Sequence, residues 1–135
     1  MSDLDRMLES PYVRRIGVRF EEHGDELTAV LPYGDALVGN PLIPALHGGA
    51  VGAFMEITAA ASLMAATPLA AMPKPIDVAV DYLRPARPLD VYARAMITRQ
   101  SGRVANVRVE AWQERRSAPV ATLHGHFLVK PKDAA

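Results

Sequence analysis

The chain has 135 residues, half of them apolar, which suits one compact domain over 1–135 with a real core and leaves little room for a second. Lysine plus arginine and aspartate plus glutamate number 15 each, so no bulk electrostatic case arises for nucleic acid or an anionic membrane as partner. There is no cysteine, which excludes disulfides, thiol catalysis and thiolate metal sites.

The first ten residues, MSDLDRMLES, are charged and hold no apolar run, so they do not read as a secretory signal and the expected location is the cytoplasm. Residues 3–14 predict a short helical extension, with Pro11 late in it. Ile16, Val18 and Phe20 alternate with Gly17, Arg19 and Glu21, the pattern of a half-buried strand. His23-Gly24-Asp25 is a turn, and Leu27 to Leu31 returns. Residues 33–46 are rich in turn formers and read as a loop. An apolar helix follows, from about His47 to Ala66. From Ala45 to Met72 the only ionisable side chains are His47 and Glu56, and a spanning helix needs about 20 residues. The stretch is mainly alanine and glycine, however, with a carboxylate near its middle that is costly in lipid. It therefore reads as a helix buried in a globular protein, with no membrane as partner.

Pro68 and Pro73 bracket an irregular exit. Ile76, Val78, Val80 and Tyr82 alternate with Asp77, Ala79 and Asp81 as a strand ended by Pro85 and Pro88. Val91 to Arg99 is the next strand, Ser101-Gly102-Arg103 a tight turn, and Val104 to Gln113 returns. Arg115 to Pro119 turns again, Val120 to Val129 is the last strand, and residues 131–135 predict a frayed tail. The order is a strand pair, one long buried helix, then long antiparallel strands, an α+β architecture. A helix apolar all round needs cover on nearly every side, and one sheet covers one side. A curved sheet with a second copy of the chain meets that need, which predicts a dimer.

Chemistry concentrates between Asn40 and Glu56. A Gly48-Gly49 pair at a helix start leaves backbone N–H groups bare where the helix dipole adds positive potential, a setting that can hold an oxyanion. The same glycines also serve where a chain merely turns sharply. Glu56 lies among Phe54, Met55, Ile57 and a run of alanines, so it is either a working carboxylate or one bound to a buried arginine or backbone N–H. Its own helical face carries Gly49, Gly52, Ala53, Ala59, Ala60 and Leu63, mostly small residues that leave room for a ligand or a close helix. His47 and Glu56 are nine residues apart. That is about 13 Å of rise and half a turn out of phase, so they meet only across two antiparallel helices. The plainer role for His47 is a histidine at the helix start bonded to the preceding loop. His124 and His126 share one face of the last strand, but no carboxylate or cysteine stands at ligand spacing, which disfavours a metal. Arg84 and Arg103 are loop cations of a kind that meet phosphates.

The loop with Asn40, then His47-Gly48-Gly49, then an acid nine positions on, resembles the PaaI-type acyl-CoA thioesterases of the hotdog superfamily. Val78-Ala79-Val80-Asp81-Tyr82-Leu83-Arg84-Pro85-Ala86, the Ser101-Gly102-Arg103 hairpin and Ala121-Thr122-Leu123-His124-Gly125-His126-Phe127 are similar to the family's later segments, so the resemblance covers roughly residues 15–130. It implies a hotdog fold, a long helix wrapped by an antiparallel sheet, in dimers that often pair into tetramers, with sites between subunits. It implies an acyl-CoA substrate, no metal, and no cofactor beyond the CoA that is part of that substrate. Glu56 matches the family's base or nucleophile, the Gly48 N–H its carbonyl-polarising group, and His47 the histidine beside it. Asn40, Gly49, Arg84 and Arg103 are the implied substrate contacts. Three departures from the pattern stand out. Pro41 and Pro44 replace an asparagine and a glycine, which displaces Asn40 by one; Ala60 stands where a hydroxyl often follows the acid, with Thr58 and Ser62 nearby; and Pro75 stands where some relatives hold a water-orienting serine. A hotdog protein that binds acyl-CoA without hydrolysing it is the alternative these departures suit. A hydratase fits less, since Leu42 stands where its aspartate would be, and the dehydratase His-Phe-Pro-Gly signature is absent too.

Overall fold

The computed structural model describes residues 3–43 and 45–132. Two short helices, α1 (Asp3–Glu9) and α2 (Pro11–Ile16), open the chain. They split the single helix expected over residues 3–14, because Pro11 takes the first helical position of α2, where its missing N–H costs nothing. Gly17, with φ of 83°, ends α2. Its N–H donates to the Arg14 carbonyl at 3.2 Å and the Val18 N–H donates to that of Val13 at 3.3 Å, the two bonds of a Schellman stop. Ile16 and Val18 thus belong to a helix end and its cap, not to the strand their alternation suggests, and β1 (Arg19–His23) starts later.

The remaining elements are β2 (Glu26–Leu31), α3 (Gly48–Ala66), β3 (Lys74–Tyr82), β4 (Val91–Ser101), β5 (Val104–Trp112) and β6 (Ala121–Leu128). The strands form one antiparallel sheet in the order β1-β2-β4-β5-β6-β3. β3 follows the helix in sequence yet crosses to the far edge beside β6, where Val78 faces Gly125 and Tyr82 faces Ala121. Alternation would bury Ile76, Val78, Val80 and Tyr82 alike. Only Val78 and Val80 are half-buried, while Ile76 is 55 % and Tyr82 57 % exposed. An edge strand has cover on fewer sides, and the register slips at Ile76 between Pro75 and Asp77.

The inner face of the sheet carries Ala93, Val107, Val109, Ala111, Leu123 and Phe127, all buried against Val51, Phe54, Met55, Ala59 and Leu63 of α3. Alanines on both surfaces let the backbones approach closely, and the sheet wraps the helix in the hotdog arrangement. α3 is long and apolar enough to cross a membrane, but here it is the mostly buried core helix. The sheet is not its only cover within the chain: α1 packs on it, and Met7 is fully buried between them. Apart from its two ends, where Gly48, Ala50, Ser62, Ala65 and Ala66 are also partly or fully exposed, what stays accessible is one stripe at helical spacing, made of Gly49, Gly52, Ala53 and Glu56. Beyond β6, Leu69 pairs with Pro131 and the Lys132 N–H donates to the Pro68 carbonyl at 3.3 Å. Residues 131 and 132 are therefore tied to the helix exit and not frayed, while 133–135 lie outside the described residues.

Candidate active site

His47 is the N-cap of α3, with φ −60° and ψ 130°. Its backbone N–H donates to the Leu37 carbonyl at 2.7 Å, and a Val38–Leu46 bridge closes the loop that delivers it. Its Nδ1 accepts from the Gly49 N–H at 2.9 Å, so the ring caps the helix in the manner usual for Ser or Asp. Two glycines make room for that ring. A methyl group on Gly39 would lie 2.5 Å from His47 Cδ2, and one on Gly49 would lie 2.9 Å from Cε1 and Nδ1. The His47 carbonyl accepts from the N–H groups of Ala50 at 3.0 Å and Val51 at 3.3 Å. Of the first-turn donors, the Gly48 N–H is left without a partner among the described residues. It lies at the positive end of a 19-residue helix.

Tyr82 roofs this corner. Its hydroxyl donates to the Gly48 carbonyl at 2.7 Å. A methyl on Gly48 would come within 3.3 Å of the tyrosine ring, and one on Gly52 within 3.2 Å of its hydroxyl. The two glycines, one helical turn apart, are therefore the seat of the ring. A cavity of about 370 Å³ opens here, lined by Leu46, Gly48, Val51, Tyr82, Arg84 and Ala86 among others. Another of about 380 Å³ lies at the far end of α3, where Arg94 is already held by Glu26 at 2.7 Å and by the Thr28 hydroxyl at 2.8 Å. The first is the better candidate, because it alone combines an unpartnered helix-start donor with an unpaired arginine.

Glu56 is half-buried on the accessible stripe, and no hydrogen bond or ion pair reaches its carboxylate among the described residues. A structural carboxylate would need a buried cation or N–H bonded to it, and among the described residues it has none. The nearby hydroxyls are spent or distant. Thr58 is fully buried and donates to the Phe54 carbonyl at 2.8 Å, Ser62 lines the other cavity, and Ala60 has none to offer.

The implied binding residues separate. Asn40 is exposed, and its Oδ1 accepts from the Leu42 N–H at 3.0 Å, which turns its own loop. Arg84 lines the cavity beside Gly48 with no side-chain partner among the described residues, whereas neighbouring Arg87 is paired with Glu114. Arg103 sits at the β4–β5 hairpin tip next to Val104, which is level with Leu128, while Tyr82 is level with Ala121. The seven steps from Ala121 to Leu128 along β6 span about 23 Å, so in one chain Arg103 is at the opposite end of the sheet from Gly48. On the outer face, His126 Nδ1 meets Asp77 Oδ1 at 2.7 Å, the carboxylate that spacing along one strand did not offer. Even so, no three His, Cys, Asp or Glu side chains gather for a metal among the described residues. Sequence reasoning missed Tyr82 and Gly39, and placed Gly52 only on the small-residue face of Glu56. The only available signal was glycine at 48 and 52, at i and i+4.

The family model of the thioesterase superfamily matches residues 44–120. A solved structure from Chromobacterium violaceum is 41 % identical, covers 96 % of this chain and 90 % of its own, and superposes with a TM-score of 0.75. A phenylacetic acid degradation-related protein of Ralstonia eutropha is 25 % identical, with coverage of 93 % and 98 % and a TM-score of 0.77. The PaaI protein of the Escherichia coli phenylacetic acid degradation operon shares the fold at 16 % identity, with coverage of 94 % and 90 % and a TM-score of 0.79. No functionally curated protein matches the chain. The match over more than half of its length shows that this chain belongs to the thioesterase superfamily, and it is similar there to the PaaI-type hotdog proteins.

Proposed function

We propose that the protein hydrolyses acyl-CoA thioesters at a site shared by two chains. The observation that carries this is the unpartnered Gly48 N–H at the start of α3, in a cavity that also holds Arg84, on a helix whose accessible stripe ends at the unpaired Glu56. The thioester carbonyl accepts from the Gly48 N–H. As its carbon becomes tetrahedral the oxygen takes up negative charge, and the N–H and helix dipole stabilise that charge more than the starting carbonyl. Glu56 either removes a proton from the attacking water or itself adds to the carbonyl before water releases the acid. In the first route collapse expels the CoA thiolate, which takes up the proton held by Glu56; in the second the thiolate leaves a mixed anhydride on Glu56, and the water that cleaves it to acid and carboxylate supplies the proton.

Gly48 and Glu56 stand eight residues apart on one helix, about 12 Å of rise, too far for one carbonyl. Two antiparallel copies of α3 bring the start of one near the middle of the other. The exposed apolar side chains Met72, Ile76 and Leu83, on and beside the edge strand β3, support such a pairing. Sedimentation equilibrium at micromolar concentration is expected to give a dimer or a dimer of dimers; a stable, folded and active monomer would defeat the shared site.

Arg84 is the better placed of the two candidate cations for the CoA phosphates, with Arg103 available only from another chain. Arg84→Ala should raise KM for acyl-CoA on the order of tenfold and change kcat little, since the contact is made in ground and transition states alike. An acyl thioester lacking the nucleotide should be hydrolysed as by wild type; equal losses on both substrates would make Arg84 structural. One observation favours a second reading, an acyl-CoA-binding protein without turnover: no free hydroxyl lies beside Glu56 to hold a water, because Thr58 is committed to Phe54 and Ala60 follows.

A further inference from the structure

We propose that Tyr82 is a positioning residue for this site, acting through the Gly48–Gly49 peptide on His47. The inference rests on the thioesterase reading for its catalytic consequence, but its physical basis is independent of that reading. A single peptide group is held at both ends. Its carbonyl, from Gly48, accepts from the Tyr82 hydroxyl at 2.7 Å, and its N–H, from Gly49, donates to His47 Nδ1 at 2.9 Å. The bonds run in one direction, from O–H to O=C and from N–H to ring nitrogen, so each polarises the next.

Two consequences follow. A backbone N–H can only donate, so Nδ1 must accept and the ring proton sits on Nε2. His47 is exposed, and it therefore presents an Nε2–H donor at the same helix start as the open Gly48 N–H. The pinned peptide also fixes the rotation of the first helical turn and thereby the direction of the Gly48 N–H. As the first helical residue, Gly48 also accepts the intrahelical N–H of Gly52, so the Tyr82 hydroxyl is a second donor on that carbonyl, set where the glycine pair gives the backbone wide conformational freedom. Tyr82 itself is stiffly seated, since its ring rests on the bare faces of Gly48 and Gly52 and its backbone is the last pair of the β3–β6 ladder. The edge strand is thus coupled to the helix start by one hydroxyl.

Tyr82→Phe removes that hydroxyl and keeps the ring. Two measurements test the proposal, one free of activity. In ¹⁵N-detected imidazole spectra the His47 Nδ1 resonance should move toward that of an unbonded ring nitrogen in the variant, with melting near wild type. In hydrolysis assays kcat should fall about tenfold, the weight of one ordinary hydrogen bond, with KM held within about twofold. An unmoved His47 resonance would overturn the relay whatever the activity. A raised KM with unchanged kcat would also overturn it, since Tyr82 would then be only a wall of the cavity. A wild-type protein that hydrolyses no acyl-CoA, but whose His47 resonance still shifts on Tyr82→Phe, would refute the hydrolytic function and leave the relay standing.

Discussion

Glu56→Gln is expected to lower kcat by about a hundred- to ten-thousand-fold while acyl-CoA still binds. Glutamine keeps the length and shape of the side chain and removes the basic oxygen. The Gly48 corner, where the carbonyl docks, is at the other end of the accessible stripe and is untouched. Stability should hold or rise, because a half-buried carboxylate with no partner among the described residues gains nothing from its charge and bears part of the cost of leaving water. A carboxylate neutralising a buried cation would behave in the opposite way, and its loss would cost about 3–5 kcal/mol. Thermal melting and single-turnover hydrolysis on this one variant separate the two cases. A protein that melts much lower yet turns over at the wild-type rate would remove Glu56 from the chemistry.

Gly48→Pro should lower kcat by about a hundred- to a thousandfold, the usual loss for one oxyanion donor. Proline deletes the N–H, and this position accepts it. Gly48 is the first helical residue, where proline is favoured, and its N–H has no partner to lose. The preceding residue, His47, already has φ −60° and ψ 130°, inside the extended region that a following proline requires. The added Cβ meets the Tyr82 ring at 3.3 Å, so at that atom the ring must yield by only a few tenths of an ångström. Melting near wild type with activity lost is the expected pair of results; full activity would mean that another group polarises the carbonyl. Because Gly48 and Glu56 are proposed to act from different chains, coexpressing Gly48→Pro with Glu56→Gln should restore activity. Random pairing makes half the dimers mixed, each with one intact site, or about a quarter of wild-type activity. No recovery would place both groups in one chain.

Much of this was legible from the residues. The helix over Gly48–Ala66 showed as a mainly apolar run between prolines, and β3 showed as alternation from Ile76 to Tyr82, because both signals are local. The Ile16-Gly17-Val18 alternation misled because three residues cannot distinguish a strand from a helix stop, and only the φ of Gly17 does. The place of β3 beside β6 was not legible. That pairing joins residues about fifty apart, and alternation says nothing about which strand lies next to which. The same limit hid Tyr82, whose partner is 34 residues away, and Gly39, whose bare α-carbon matters only because the His47 ring lies against it. Arg84 and Arg103 looked alike as loop cations. Only the sheet puts one beside Gly48 and the other about 23 Å off.

The most direct measurement is release of free thiol from a panel of acyl-CoAs, from short aliphatic to aromatic, by the wild-type protein beside Glu56→Gln. Saturable hydrolysis of at least one thioester by the wild type, reduced a hundredfold or more in the variant, is the predicted result. Tight binding of acyl-CoA with no thiol released from any member of the panel would contradict the hydrolytic account and establish the acyl-CoA-binding reading instead.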